Sequence, residues 1–510
     1  MNLIQTLKSA ICGTKRKNVP AVPKFQEMAV SYSRRLVREW SALKPTSTGP
    51  HVGVVVTPWM FTPAPFFALE CGLALAAAGC RVTWLWDSED VFFNAGKPRE
   101  IKAIEDMFNS LPPGFERISV HDSDSGETFD DEQFLHLLIY ENAVRELKGE
   151  DGVSEFLARN IAIPTAMRQH VARVKNALSH GSFDWLLIPG GVWAASGIYA
   201  RMASRLGIDY TSYDSGPGEV AVARGGPAAH FVDVAPALQE MQKLPDAERD
   251  RLVILAENNL RVRMAGEDEN HFQAKPSGSG DGKRCDILVP LNYRADTAAL
   301  CRQKIFESVS QWVHELCAWV EEHPPFHLAI RQHPCERIPE FRGNDQWERD
   351  LGVYASFGTR IRLVKAEDDV NTYDLLSQAK VVLPFTSRIG IEAAMMKKPV
   401  ILGSHCYYSG CGFTYDAESK EKYFSLLQCG LAGGLIPDSA QSNLAGLCYY
   451  IAEKCLFVKT SFTPQPFDFL RWVVRPQGEL WSELPQQAFL SMMLARENSA
   501  LSIDRLINRQ

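Results

Sequence analysis

Thr386 and Ser387 place two hydroxyls side by side in AKVVLPFTSRIGIEAAMMKKPVILG. They stand between an apolar run ending at Pro384 and a helical run that Lys397, Lys398 and Pro399 close. A hydroxyl pair where a strand hands over to a helix suits an anion, because the first turn of the helix also offers unpaired N–H groups. The anion expected is the phosphate of an activated donor. Ser and Thr are equally ordinary helix caps, and the two uses are compatible. Arg331, His333 and Pro334 end a second apolar run, FHLAIRQHP. A guanidinium and an imidazole there can both meet a phosphate oxyanion, and the imidazole can steady a leaving group as a cation or as a neutral donor. Glu392 lies one helical turn beyond Arg388. It reads either as an acceptor for ribose hydroxyls or as half of an i,i+4 pair with Arg388. Asn292 and Asp296 follow the run CDILVPL and face the same way; Asp296 also reads as a helix cap. Nearer the N-terminus, Asp214 and Glu219 sit in YDSGPGEV. Either carboxylate could deprotonate an acceptor hydroxyl, with Gly216 and Gly218 letting backbone approach a ligand. An Asp-Ser-Gly turn is the plain alternative.

The elements that must carry these groups alternate in type. HVGVVVTP (51–58) is a β-branched run fit for a parallel strand buried on both faces. An apolar helix (66–79) and a strand (80–87) complete a βαβ unit. Helix is expected over 131–180, strand over 184–191 with Gly190 and Gly191 at its end, then a helix and a strand over 208–216. Residues 237–270 read as charged helix. KPSGSGDGKR (275–284) has linker composition. After it the alternation restarts: strand 285–292, a long helix over 295–321, strands 326–334 and 361–366, and a helix from 371 capped by Asn371 and Thr372. The expected domains are a helical basic lead-in (1–50), an acceptor domain (51–274), the linker (275–284), a donor domain (285–460) and a helical tail (461–510). In such open α/β sheets ligands bind beyond the carboxyl ends of the strands, where the residues above fall.

A net charge of −7 lacks the basic excess that a nucleic-acid partner would require. Twelve cysteines without a CxxC pair fit buried thiols in a reducing compartment, and the cytoplasm is the expected address. No apolar run reaches the ~20 residues that span a bilayer. Leu3, Ile4, Leu7 and Ile11 recur at helical spacing ahead of Lys15, Arg16 and Lys17. That stretch reads as loose attachment to an anionic inner membrane surface or as a helix docked on the body. Asp122 and Asp124 form a DxD in a stretch that reads as a solvated acidic loop.

The HP of 333–334, the TYDLL helix after Asn371, the TSRIGIEA turn, KPVILG, and Tyr407-Tyr408 with GCGFT (410–414) together resemble the bacterial capsule polysaccharide biosynthesis proteins, which include Kdo transferases. The resemblance is firm over 326–424. It implies a GT-B-like α/β fold: two Rossmann-like doubly wound domains facing each other across a cleft, donor in the C-terminal one and acceptor in the N-terminal one. It implies a glycosyltransferase of capsule or lipopolysaccharide assembly, needing no bound metal and no cofactor beyond a nucleotide-sugar co-substrate. The donor would be CMP-linked, with an acidic sugar such as Kdo, and the acceptor a glycan or glycolipid. It implies a donor site of Asn292, Arg331, His333, Thr386, Ser387, Arg388 and Glu392, and catalytic roles for Asp214, Glu219 and His333. Two positions depart from the pattern: Asp214 replaces the usual Glu, and Arg388 replaces a small or apolar residue. A CDP-polyol phosphotransferase of teichoic-acid type, a UDP-sugar 2-epimerase and a non-catalytic assembly scaffold share parts of the pattern.

Overall fold

A computed structural model describes residues 40–474 apart from 60–63, 90–97, 124–125, 216–218, 268–272, 275–281, 460–461 and 466–467, with isolated positions among 30–38 and 489–500. The basic amphipathic N-terminus, Asp124, Gly216–Gly218, most of the 275–284 stretch and the end of the tail lie outside the described residues. The chain divides into two compact units. One takes in 154–233, the strands before 143 and the segment from 454 on; the other comprises 144–153 and 234–453.

The N-terminal unit is built on a seven-stranded sheet. Its strands are β1 (His51–Val56), β2 (Arg81–Trp86), β3 (Glu116–Ser119), β4 (Trp185–Pro189), β5 (Asp209–Ser215) and β6 (Glu219–Arg224), with a late strand from the tail. β3, β2, β1, β4 and β5 run parallel in that order, the arrangement of half a Rossmann sheet. β1 is buried along its whole length, which is why it reads as an unbroken apolar run rather than an alternating one. Helix α1 (Ala64–Ala77) is likewise buried almost all round. Gly72 makes that possible: a side chain there would overlap the ring of Trp84 on β2.

The C-terminal unit repeats the plan at smaller size. Its four parallel strands β7 (Ile287–Pro290), β8 (Leu328–Arg331), β9 (Ile361–Val364) and β10 (Val381–Val382) lie in the order β10-β7-β8-β9. Helix α2 (Val309–Glu322) buries Trp312, Val313, Leu316 and Val320 against them. The Trp312 indole N–H reaches the Tyr423 hydroxyl at 2.9 Å, so a polar atom taken into the core is matched.

Several expectations change. The long helix over 295–321 is only Val309–Glu322. Cys301 sits at φ 58°, a left-handed conformation that interrupts a helix, and Ser308 caps the real start by accepting the Gln311 N–H. The helical region 131–180 is three helices, Glu132–Leu147, Val153–Arg159 and Ala162–Gly181. Asp214 and Ser215 belong to strand β5, as the strand expected over 208–216 has it, and Glu219 opens β6, which pairs antiparallel with β5. The end of the stretch expected as donor domain goes to the other unit, where strand β11 (Phe457–Lys459) pairs antiparallel with β6 at the edge of the first sheet; the tail after it is not simply helical. Phe462–Gln465 and Asp468–Val474 form a further hairpin. The units part at Asp233/Val234, upstream of the 275–284 stretch. The reason is the charged helix α3 (Asp246–Met264), whose buried side packs on α4 (Ser439–Tyr450) of the same unit.

Segment 144–153 joins the C-terminal unit through buried charge. Glu150 pairs with Arg294, and Arg294 Nε lies 3.2 Å from Asp345 Oδ2. Asp345 Oδ1 also accepts the Glu150 N–H at 2.6 Å, and Glu150 accepts the N–H groups of Val309 and Ser310. Burial would raise the Glu150 carboxyl, but Arg294 and the Ser310 contacts hold it below its ordinary value. Burial and the neighbouring Glu150 charge leave Asp345 raised.

Candidate functional site

β10, β7 and β8 are neighbours, so the residues just past their carboxyl ends converge. Past β7 comes Asn292, 9% exposed; past β8, His333; past β10, Thr386, Ser387 and Arg388. Asn292 Oδ1 accepts the Thr386 N–H at 3.2 Å and fixes the turn. The Thr386 hydroxyl is buried and makes no hydrogen bond. A buried hydroxyl without a partner is costly in a finished fold and is expected where a ligand completes it. The Ser387 carbonyl accepts the Tyr408 hydroxyl at 2.7 Å, tying the turn to the following loop.

Gly390 explains the GIE of the motif. A Cβ there would overlap the Tyr408 hydroxyl and lie 2.8 Å from Pro384 Cγ. Gly390→Ala is therefore expected to lower stability by about 1–3 kcal/mol, the range for overpacking, read as a lower urea midpoint. If the midpoint stays put, the close approach of Tyr408 is not a constraint.

His333 is fixed as a neutral donor. Its Nδ1 accepts the Cys335 N–H at 3.3 Å, which leaves the proton on Nε2. Burial pushes the imidazole down to about 4, and the charges of Arg331 and Arg263 push the same way. Pro334 starts the short 3₁₀ turn that His333 caps.

Arg331 is a correction. It is 1% exposed, and its two terminal nitrogens donate to the carbonyls of Lys365 and Val370. Its guanidinium is spent on holding the loop after β9 and is not presented to a phosphate. Glu392 is a correction too. The i,i+4 partner does not engage it; Tyr373 donates to Oε2 at 3.0 Å, and Arg263 of α3 approaches Oε1 at 3.3 Å. At 2% exposure this carboxylate is a buried post under the turn rather than a ribose acceptor. Burial raises its carboxyl, opposed by Arg263 and Arg388. Arg388 turns instead to Glu453, which stands on a single π-helical turn, Ile451–Cys455. Asp296 is exposed and accepts the Ala298 N–H at 3.0 Å, a local cap. Asn371 caps its helix, Thr372–Gln378, through the Tyr373 N–H at 2.7 Å. The helix after Arg388, Ile389–Met395, has two turns, so side chains rather than a macrodipole must supply most of any anion binding there.

Arg263 and Glu453 were not singled out from sequence, and Tyr408 entered only as part of the family motif. Arg263 is one of several arginines on a charged helix. Glu453 did carry a signal, as a carboxylate inside the apolar run LCYYIAEKCLFV.

Asp214 and Glu219 belong to the other unit. The β5–β6 register sets Asp214 opposite Ala221, two residues from Glu219, so both carboxylates project from the same sheet face. Both are half-buried. Among the described residues no helix is long and apolar enough to cross a membrane.

Residues 242–425 match the family described as capsule polysaccharide biosynthesis protein. No curated protein matches the chain. Among solved structures it is similar to the KpsC β-Kdo 2,7 transferase of Thermosulfurimonas dismutans, at 17% identity and TM-score 0.31, over 54% of this chain and 79% of that one. It is similar to the β-Kdo 2,4 transferase of the same protein, at 15% identity and TM-score 0.33, over 52% and 79%. It is also similar to the UDP-GlcNAc 2-epimerase of Neisseria meningitidis, at 10% identity and TM-score 0.25, over 88% and 100%.

Proposed function

We propose that the chain, whose residues 242–425 match the family described as capsule polysaccharide biosynthesis protein, is a glycosyltransferase of surface polysaccharide assembly that takes its sugar from a nucleotide-sugar. The observation that carries this reading is the unpartnered, buried Thr386 hydroxyl at the end of β10, with the neutral His333 imidazole at the end of β8. The two strand ends flank β7, on the order of 10 Å apart along the sheet, a span that a phosphate and its sugar fill.

In this reading Thr386, Ser387 and the Nε2–H of His333 hold the donor phosphate, and Arg388 adds charge. An acceptor hydroxyl oxygen attacks the anomeric carbon. The bond from that carbon to the phosphate oxygen breaks, and the nucleotide leaves with the electron pair. His333 stabilises the departing oxyanion by hydrogen bonding, without giving up its proton. Asp214 or Glu219 takes the acceptor proton. The acceptor is a glycan or glycolipid, and the donor sugar is acidic and CMP-linked. The metal-independent chemistry of this scheme rests on those side chains alone.

Thermal-shift titration with CMP, CDP and UDP tests the reading, since a bound nucleotide must raise Tm. Stabilisation by none of them would sink it. Product analysis separates it from polyol-phosphate transfer, which leaves a phosphodiester where glycosyl transfer leaves a glycosidic bond.

Thr386→Val gives a sharper check. Removing an unsatisfied buried hydroxyl at constant shape is expected to leave the fold as stable or about 1 kcal/mol more stable. The same change is expected to weaken nucleotide binding about tenfold, the worth of one hydrogen bond to a charged phosphate. Loss of stability with unchanged binding would assign Thr386 to structure alone.

A further inference from the structure

Four charged side chains gather behind the Thr386–Ser387 turn: Arg263, Arg388, Glu392 and Glu453. Two guanidiniums and two carboxylates leave no net charge, which is an odd surrounding for an anion site. The carboxylates are not equivalent. Glu392 is sealed, its side chain 3% exposed; its Oε2 accepts the Tyr373 hydroxyl and its Oε1 faces the Arg263 charge at 3.3 Å. Glu453 is 21% exposed, pairs with Arg388, and stands 3.9 Å from Arg263 Nη1. Arg388 itself is 31% exposed. Arg263 is 25% exposed, so of the four side chains only Glu392 is closed to solvent, and of the two carboxylates only Glu453 can move out to it.

We propose that Glu453 stands in for an oxyanion of the ligand: it occupies Arg388 in the empty site, and a bound ligand takes Arg388 over while Glu453 moves out to solvent. The proposal rests on the donor-site reading above and adds a specificity rule to it. Arg388 directly follows the unpartnered Thr386 hydroxyl and Ser387, so a ligand held by the turn lies beside that guanidinium. A guanidinium that a carboxylate already covers is shaped for another planar or tetrahedral oxyanion. Glu453 rides on one π-helical turn after α4, and such turns are the least regular form of helix and recur at functional sites. Its withdrawal would need only a local change there. The site would consequently favour ligands with a second oxyanion, a further phosphate or a sugar carboxylate, over ligands with one.

Isothermal titration of the full chain with CMP, CDP and a CMP-linked acidic sugar tests this in the wild type and in Glu453→Gln, Arg388→Gln and the double variant. Glu453→Gln is expected to bind the two-oxyanion ligands about tenfold tighter than wild type, as one charge-assisted contact is freed. Arg388→Gln is expected to weaken the two-oxyanion ligands about tenfold more than it weakens CMP, and the double variant to behave as Arg388→Gln does, because the two residues act as one unit. CDP and the acidic-sugar nucleotide separate the two sources of the second oxyanion. If Glu453→Gln does not fold, Glu453→Asp shortens the reach to Arg388 and must shift affinity in the same direction. Nucleotide binding by the wild type with no gain in either Glu453 variant overturns this inference and leaves the donor-site reading standing. Absence of nucleotide binding in every protein removes both.

Discussion

Under the glycosyl transfer proposed above, His333→Ala is expected to lower the transfer rate about 10²–10³-fold, the usual cost of removing one donor to a developing oxyanion. The fold should survive, since the side chain's own bond is a local cap to the Cys335 N–H. The loss should fall mainly on kcat, because the phosphate oxygen gains most of its charge in the transition state. His333→Gln, which keeps an N–H donor, should recover part of it. The pH profile gives an independent check. Burial and the Arg331 and Arg263 charges set the His333 imidazole at about 4, so it stays neutral from pH 5.5 to 8 and contributes no limb to the rate profile there. A kcat that rises or falls with an apparent pKa near 6.5 and loses that dependence in His333→Gln would show an imidazolium at work. The linkage has a definite sign. A histidine whose folded pKa lies below its unfolded value near 6.5 withdraws stability as pH falls from that value through about 4. His333→Gln should therefore denature less readily than wild type near pH 4.

Arg294→Met carries the largest expected stability effect. It would leave Glu150 and Asp345 buried without their counter-charge, a change that typically costs about 3–5 kcal/mol. The loss should be read as a lower urea midpoint for the C-terminal unit and as faster amide exchange over 144–153. Without Arg294 both carboxyls move up, and groups with raised folded pKa values withdraw stability as pH rises through them. The defect should therefore be worse at pH 8 than at pH 5. Adding Glu150→Gln and Asp345→Asn should recover much of it, because a neutral cluster needs no cation. Equal stability of wild type and Arg294→Met would mean that 144–153 is held by packing instead.

The strand–helix alternation was legible because a parallel strand buried on both faces is written as an unbroken apolar run. β1, β4, β7 and β8 each sit inside such a run. The strand at 457–459 was less legible. β11 finds its partner on β6, hundreds of residues back, and an edge strand's pairing is fixed by what it meets rather than by its own composition. The helix expected over 295–321 failed in its first half for a similar reason. Arg294 is anchored by Glu150 and Asp345, and Cys301 adopts a left-handed conformation that no local pattern announced.

By itself the sequence determined the two α/β units, the strand-end placement of Asn292, His333, Thr386, Ser387 and Arg388, and the likeness to capsule polysaccharide biosynthesis proteins. Those features depend on neighbours along the chain: apolar period, turn residues and motif spacing. Only the tertiary structure decided what each polar group is paired with. It turned Arg331 inward to two carbonyls, gave Glu392 to Arg263 and Tyr373, set Arg388 against Glu453, and left the Thr386 hydroxyl without a partner. The physical reason is that a charge or hydroxyl taken from water must be matched within hydrogen-bonding distance. Here the matching groups come from elsewhere in the chain: Arg263 on α3, Tyr373 on the helix Thr372–Gln378, Glu453 on the π-helical turn after α4, and the carbonyls of the loop after β9.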